Sequence, residues 1–166
     1  MPNIPFPPHP PRIGIGTDRH RLVDDRPCVL GGIEIDCPVG PHGHSDGDAI
    51  LHALCDALLG AAGLDDLGTL FPDIDPKWKG VSSVVLLRNV MKHLADAQLI
   101  ALSVDIVVCC DRPKLGPHRS AIRAQLSEWL ELPIDRVNVK GKTREGYGGK
   151  VESVDVTAVV LLSDRC

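Results

Sequence analysis

Apolar residues recur along this chain with two periods, and the switches between them mark out strands and helices. Ile13-Gly14-Ile15-Gly16 alternates and predicts a strand over 12–17, with Gly14 and Gly16 leaving room beside Asp18 and His20. Cys28-Val29-Leu30 and Ile33-Glu34-Ile35, joined through Gly31-Gly32, predict a hairpin. A loop rich in Pro, Gly and His runs to His44. Ser45 or Asp46 is then expected to cap a helix through Ala49, Ile50, Leu51, Leu54, Leu58 and Leu59, with Gly60 near its end.

The two prolines in Phe71-Pro72-Asp73-Ile74-Asp75-Pro76 predict an irregular loop within 66–79. Ser82 or Ser83 caps a second helix, with Val84, Leu87, Met91 and Leu94 at helical spacing. Val104 to Val108 has the composition of a buried strand. Ile122, Leu126, Trp129 and Leu130 mark a third helix, closed by Pro133, and Val137-Asn138-Val139 and Val154 to Leu162 are the last strands. There is no internal repeat and no linker. The pattern predicts a single α+β domain over 12–166, a mixed β-sheet with helices packed on it, after a flexible proline-rich tail over 1–11.

Length and charge narrow the function. The 166 residues suffice for one domain with a real core, and 43% of them are hydrophobic. A net charge of -4 supplies no basic field for nucleic acid. Charged residues interrupt every apolar run that could span a bilayer, and the tail lacks the charged head and apolar stretch of a secretory signal. Six cysteines without a Cys-x-x-Cys pair point to reduced thiols, and so to a cytoplasmic protein.

The strongest chemical signal is Asp18-Arg19-His20 followed by His52. Asp18 and His20 leave the same face of a strand, and His52 sits in an apolar helical run. Two imidazoles and a carboxylate fill three corners of a tetrahedron around zinc and leave one open, as catalytic sites do. Two-histidine, one-carboxylate iron sites use the same ligand types, but the order of ligands here fits them less well. Asp48, His52 and Asp56 form one polar stripe; Asp48 is either support for the ligand His52 or part of a solvated face.

Softer signals suit phosphate and sugar. His44-Ser45 lies at a predicted helix start, where free N–H groups can receive an anion. Asp65, Asp66, Asp73 and Asp75 are either hydroxyl-binding acids or solvated turns. Arg112-Pro113-Lys114 is either a base pocket or a strand-exit turn, and Lys140 to Glu145 either a phosphate and Mg²⁺ corner or a charged loop. His42, His93 and His118 are expected at the surface.

In order and spacing, Gly-Thr-Asp-Arg-His (16–20), His-Ser-Asp-Gly-Asp-Ala-Ile-Leu-His-Ala-Leu (44–54), Asp-Ala-Leu-Leu-Gly-Ala (56–61), Phe-Pro-Asp-Ile-Asp-Pro-Lys-Trp-Lys-Gly (71–80), Arg-Pro-Lys-Leu (112–115) and Val-Asn-Val-Lys (137–140) resemble the 2-C-methyl-D-erythritol 2,4-cyclodiphosphate synthase family. The resemblance runs from about Arg12 to Leu162. It implies a homotrimer with active sites between subunits, acting in non-mevalonate isoprenoid biosynthesis. The implied reaction cyclises 4-diphosphocytidyl-2-C-methyl-D-erythritol 2-phosphate and releases CMP. Asp18, His20 and His52 would hold one zinc per subunit, and Glu145 a second divalent ion, Mg²⁺ or Mn²⁺, with the diphosphate. His44 and Ser45 would face the phosphorylated methylerythritol, Asp66 and Gly68 its hydroxyls, and Asp73 would lie in a loop over it, with Phe71 and Asp75 also counted as substrate-facing. Cys110, Pro113, Lys114, Leu115 and Gly141 of the adjacent subunit would shape the cytosine pocket, with Thr143 at the phosphates; Lys142 is also counted as substrate-facing.

The C-terminal motif departs from the family. Its Lys-Ala-Thr-Thr-Thr/Asn-Glu is here Lys140-Gly141-Lys142-Thr143-Arg144-Glu145, and the glycine-rich segment that follows is shortened to 147–153. Lys142 either assists phosphate neutralisation or crowds the nucleotide, and Tyr147 stands near the place of a family Phe. Two rivals follow: a metal-dependent nucleotide diphosphate hydrolase, and a non-catalytic cytidine-nucleotide-binding trimer.

Overall fold

The computed structural model describes residues 10–43, 45–72, 74–78, 80–146 and 152–165. His44, Asp73, Tyr147 and most of the proline-rich tail lie outside them. Among the described residues, seven strands and four helices follow one another in this order: β1 (Arg12–Asp24), β2 (Cys28–Leu30), β3 (Ile33–Ile35), β4 (Val39–Pro41), α1 (Ala49–Ala62), α2 (Leu67–Leu70), α3 (Ser83–Asp96), β5 (Leu99–Cys109), α4 (Arg119–Trp129), β6 (Val137–Lys142) and β7 (Ser153–Asp164).

The main sheet has the order β4-β1-β7-β5-β6, while β2 and β3 form the expected hairpin. Only β5 and β6 run parallel, with α4 in the crossover between them, so the sheet is mixed and the α+β expectation holds.

Register places one row of small and branched residues across the sheet. Gly16 pairs with Ala158, Ala158 with Ile106, and Ile106 with Val139. All four are buried, and α1 lies on β1 and β7 on this side. Asp18 and His20 continue the Gly14–Gly16 side of β1, so they emerge beside α1.

The opposite face carries Ile13, Ile15, Val159 and Leu161, with Ile13 73% and Ile15 67% exposed. No described element covers those two isoleucines, which is unusual for large apolar side chains in an edge-to-edge row.

Several boundaries differ from expectation. Asp48, not Ser45 or Asp46, caps α1, accepting from the N–H groups of Ile50 and Leu51; Gly60 lies near the helix end as expected, and the helix closes at Gly63 in the left-handed region. Ser82 caps α3, one of the two serines foreseen. The Pro/Gly/His loop contains the short edge strand β4, and the 66–79 loop contains α2 and a 3₁₀ turn at Pro76–Trp78. Short segments bounded by Pro and Gly carry too little periodicity to announce themselves.

Candidate metal centre and a second cleft

β1 delivers Asp18 and His20, and α1 delivers His52 from above. His20 Nε2 stands 2.9 Å and His52 Nδ1 3.2 Å from Asp18 Oδ2, and the two nitrogens are 3.3 Å apart. Four tetrahedral ligands at zinc's usual bond lengths of about 2.0–2.1 Å stand about 3.3–3.4 Å from one another. The three atoms therefore outline one face of such a tetrahedron, and their side chains are only 15–23% exposed.

Tautomer chemistry gives an independent test. His20 Nδ1 lies 2.6 Å from the carbonyl oxygen of His42, which can only accept. Nδ1 therefore carries a proton, and Nε2 is the nitrogen that faces Asp18 and His52, donating to the carboxylate in the charged ring and free to bind a cation in the neutral one. Such a donor set fits a divalent cation. Burial alone would raise the Asp18 pKa, but hydrogen bonds and charge from His20 and His52 hold it well below the carboxylate range. The Asp18 hydrogen bond in turn raises His20 above its ordinary value, against burial.

The centre opens into a cleft of about 430 Å³, also lined by Ser45, Gly68, Phe71, Trp78 and Asp56. Ser45, Gly68 and Phe71, expected to face substrate, thus share a cleft with the three candidate ligands. Asp66 does not line this cleft. It caps α2, its pKa lowered by Thr69, and lies in a neighbouring depression with Thr17, Asp56 and Gly60. Asp75 accepts the Lys77 N–H and lines none of the clefts described here.

A second cleft of about 340 Å³ gathers Cys110, Pro113, Lys114, Leu115, Gly141, Lys142 and Thr143, with Arg119 at its edge. Arg112-Pro113-Lys114 follows the end of β5 as a strand exit, and its Pro113 and Lys114 line this cleft. Cys110 is a wall residue and no nucleophile, because burial pushes its thiol up to about 11. Glu145 stands outside the lining and accepts from the Thr143 hydroxyl. Asp111 and Glu152 fix the segment, the first accepting the Arg144 N–H at 3.0 Å and the second pairing with Arg112 at 2.7 Å. The two clefts share no lining residue.

Three features were misread or missed. The Asp48 side chain is not solvated and makes no hydrogen bond to a candidate metal ligand; it is fully buried and accepts N–H groups from Gly31, Gly32, Ile50 and Leu51. His42 is exposed as expected, yet its carbonyl orients His20 and its ring lines the cleft. Ser83 contacts the far nitrogen of His52 and donates its hydroxyl to Asp46, and only proximity in three dimensions reveals this pair.

Comparison with known proteins agrees with this geometry. The profile of the YgbB family matches residues 11–163. The 2-C-methyl-D-erythritol 2,4-cyclodiphosphate synthase of Thermus thermophilus is 50% identical over 151 residues, covering 91% of this chain and 98% of that one. A synthase of that name solved in a CDP-bound form superposes with a TM-score of 0.86 at 50% identity, over 91% of this chain and 99% of the other. A Plasmodium falciparum protein solved as a CDP complex is 33% identical, with a TM-score of 0.81 over 94% and 97% of the two chains.

Proposed function

The chain belongs to the YgbB family, and on that premise we propose that it converts 4-diphosphocytidyl-2-C-methyl-D-erythritol 2-phosphate to the 2,4-cyclodiphosphate with release of CMP. The observation that carries this reading is the Asp18–His20–His52 cluster, whose donor atoms converge in a half-open cleft.

The substrate's 2-phosphate oxygen attacks its own β-phosphorus. One P–O bond forms, the bond to the α-phosphate oxygen breaks, and CMP leaves with that electron pair, so no water is consumed. Both reacting groups are anions, and the barrier is one of repulsion and orientation. Asp18, His20 and His52 would hold zinc, and Glu145 a Mg²⁺ or Mn²⁺ ion, which supply positive charge to the diphosphate. Ser45 and Gly68 would orient the methylerythritol phosphate, joined in the family pattern by His44, Asp66 and Asp73. Cys110, Pro113, Lys114, Leu115 and Gly141 would seat the cytosine, with Lys142 and Thr143 near the phosphates. Holding both ends of one molecule makes the attack intramolecular, an advantage of up to about 7–11 kcal/mol.

The active unit is a homotrimer in which the second cleft of one subunit faces the metal centre of the next. The bare face of Ile13, Ile15, Val159 and Leu161 supports an assembly. Five free thiols among the described residues fit a reducing, cytoplasmic setting.

The test is metal analysis of the purified protein with product analysis in ¹⁸O-water. One zinc per subunit, with one CMP per cyclic product and no label, is expected. A labelled linear product would make the protein a hydrolase, and a zinc-loaded trimer that releases no CMP would make it a binding protein. Histidine 52 is the sharpest single probe: His52→Ala should lose metal and turnover together.

A further inference from the structure

From the contacts behind the metal centre we infer that Ser83 and Asp46 are positioning residues, a hydroxyl–carboxylate relay that sets which nitrogen of His52 bears its proton. The inference rests on the reading of Asp18, His20 and His52 as metal ligands.

Proton counting carries it. His52 Nε2 lies 2.9 Å from Ser83 Oγ. That hydroxyl has one proton, which it donates to Asp46 Oδ1. The Ser83 N–H donates to Asp46 Oδ2 at 3.0 Å, and the Asp48 N–H to Asp46 Oδ1 at 3.2 Å, so both oxygens of Asp46 are committed as acceptors. With its proton spent, Ser83 Oγ offers His52 only a lone pair. Neutral His52 therefore keeps its proton on Nε2, against the competing pull of the Asp18 carboxylate on a proton at Nδ1. Nδ1, which stands 3.2 Å from Asp18 Oδ2 and 3.3 Å from His20 Nε2, is left with its lone pair aimed between them.

Ser45 Oγ also lies 3.2 Å from His52 Nε2, and accepting the Gly47 N–H leaves its own proton free, but it lines the open cleft, where an incoming ligand can compete for it. Ser83 has no exposed surface and is the first residue of α3. The relay thus joins the start of α3, the loop before α1 and the helical ligand, and it persists whatever enters the cleft. It mirrors the His42 carbonyl behind His20, so each imidazole is locked from its rear with its lone pair forward.

Two measurements test the relay. Nitrogen-15 NMR of histidine-labelled, metal-free protein reads the His52 tautomer directly, and chelator competition reads the Zn²⁺ dissociation constant. In the wild type His52 should be the Nε2–H tautomer. Ser83→Ala and Asp46→Asn should mix the two tautomers at His52 while leaving His20 unchanged, and weaken Zn²⁺ binding about 10–100-fold. Ser83→Thr keeps the hydroxyl and should restore both readings. A pure Nε2–H tautomer with unchanged Zn²⁺ affinity in folded Ser83→Ala and Asp46→Asn would overturn the inference. A wild type that binds no Zn²⁺ would instead remove the metal reading, and the tautomer arm would still decide the relay by itself.

Discussion

Gly16 lies directly beneath Ala53: a Cβ at position 16 would stand 2.1 Å from the Ala53 carbonyl oxygen. Gly14 bears the same relation to Ala57, at 2.0 Å. These two glycines let α1 rest on the backbone of β1 without a layer of side chains between them. His52 precedes Ala53 and Asp18 follows Gly16 by two residues, so the close approach that packs the helix also sets the ligand distances.

Gly16→Ala should therefore damage the metal centre without touching a ligand. The neighbour that must give way is helix backbone, so the cost belongs near the upper end of overpacking, about 3 kcal/mol. Zn²⁺ affinity should fall about tenfold or more as His52 lifts away from Asp18. Gly60→Ala is the contrast, since its nearest obstacle is the Ile15 carbonyl oxygen at 4.0 Å. It should stabilise the fold by about 0.5–1 kcal/mol through helix propensity alone. Thermal melts of both variants with chelator titrations check the pair, and equal effects would refute the packing argument.

Ile15→Asp separates assembly from metal binding. The three ligands belong to one chain, so the variant should still bind Zn²⁺ with wild-type affinity. Sedimentation velocity should show monomers in place of the proposed trimer, and CMP release should vanish if, as proposed, the neighbour's cleft completes the site. Unchanged sedimentation would move the interface elsewhere.

The convergence of Asp18, His20 and His52 was legible because each sits on a strongly periodic element. Alternation puts Asp18 and His20 on one side of β1, and helical spacing turns His52 toward the same core. Asp48 misled for the same reason. It has the i, i+4 spacing of a stripe, yet the Gly31-Gly32 turn of the β2–β3 hairpin folds over it and supplies donors from 16 and 17 residues away. Ser83 was foreseen only as a candidate cap, because its contact with His52 spans 31 residues of intervening chain. Local pattern reports which face a residue occupies and is silent about who arrives there from afar.

Lys142 distinguishes two outcomes of the C-terminal departure. It lines the second cleft with Lys114 and Arg119, and its side chain is exposed. An exposed charge–phosphate contact is worth about 0–1 kcal/mol and is screened by salt. Lys142→Thr should raise KM by up to about fivefold at low ionic strength, with the difference fading by about 0.5 M salt. A KM that falls in this variant would mean that the ammonium crowds the nucleotide.

Asp48 gives the chain a pH signature independent of the metal. Its Oδ1 accepts from Gly31 at 2.8 Å and from Ile50 and Leu51 at 3.1 Å, and its Oδ2 accepts from Gly32 at 2.6 Å. Complete burial outweighs these four donors and pushes its pKa from 3.8 up to about 6. Between those values the folded chain keeps a proton that the unfolded chain has already released. Stability from this group is therefore full below about pH 4 and falls as pH rises through about 6, by on the order of 3 kcal/mol. Asp48→Asn cannot titrate, so the stability of the wild type minus that of the variant should decline across this window in denaturant titrations from pH 4 to 7. A flat difference would mean that four N–H donors keep the carboxylate ionised in the core, and that hydrogen bonding, not desolvation, governs the cap of α1.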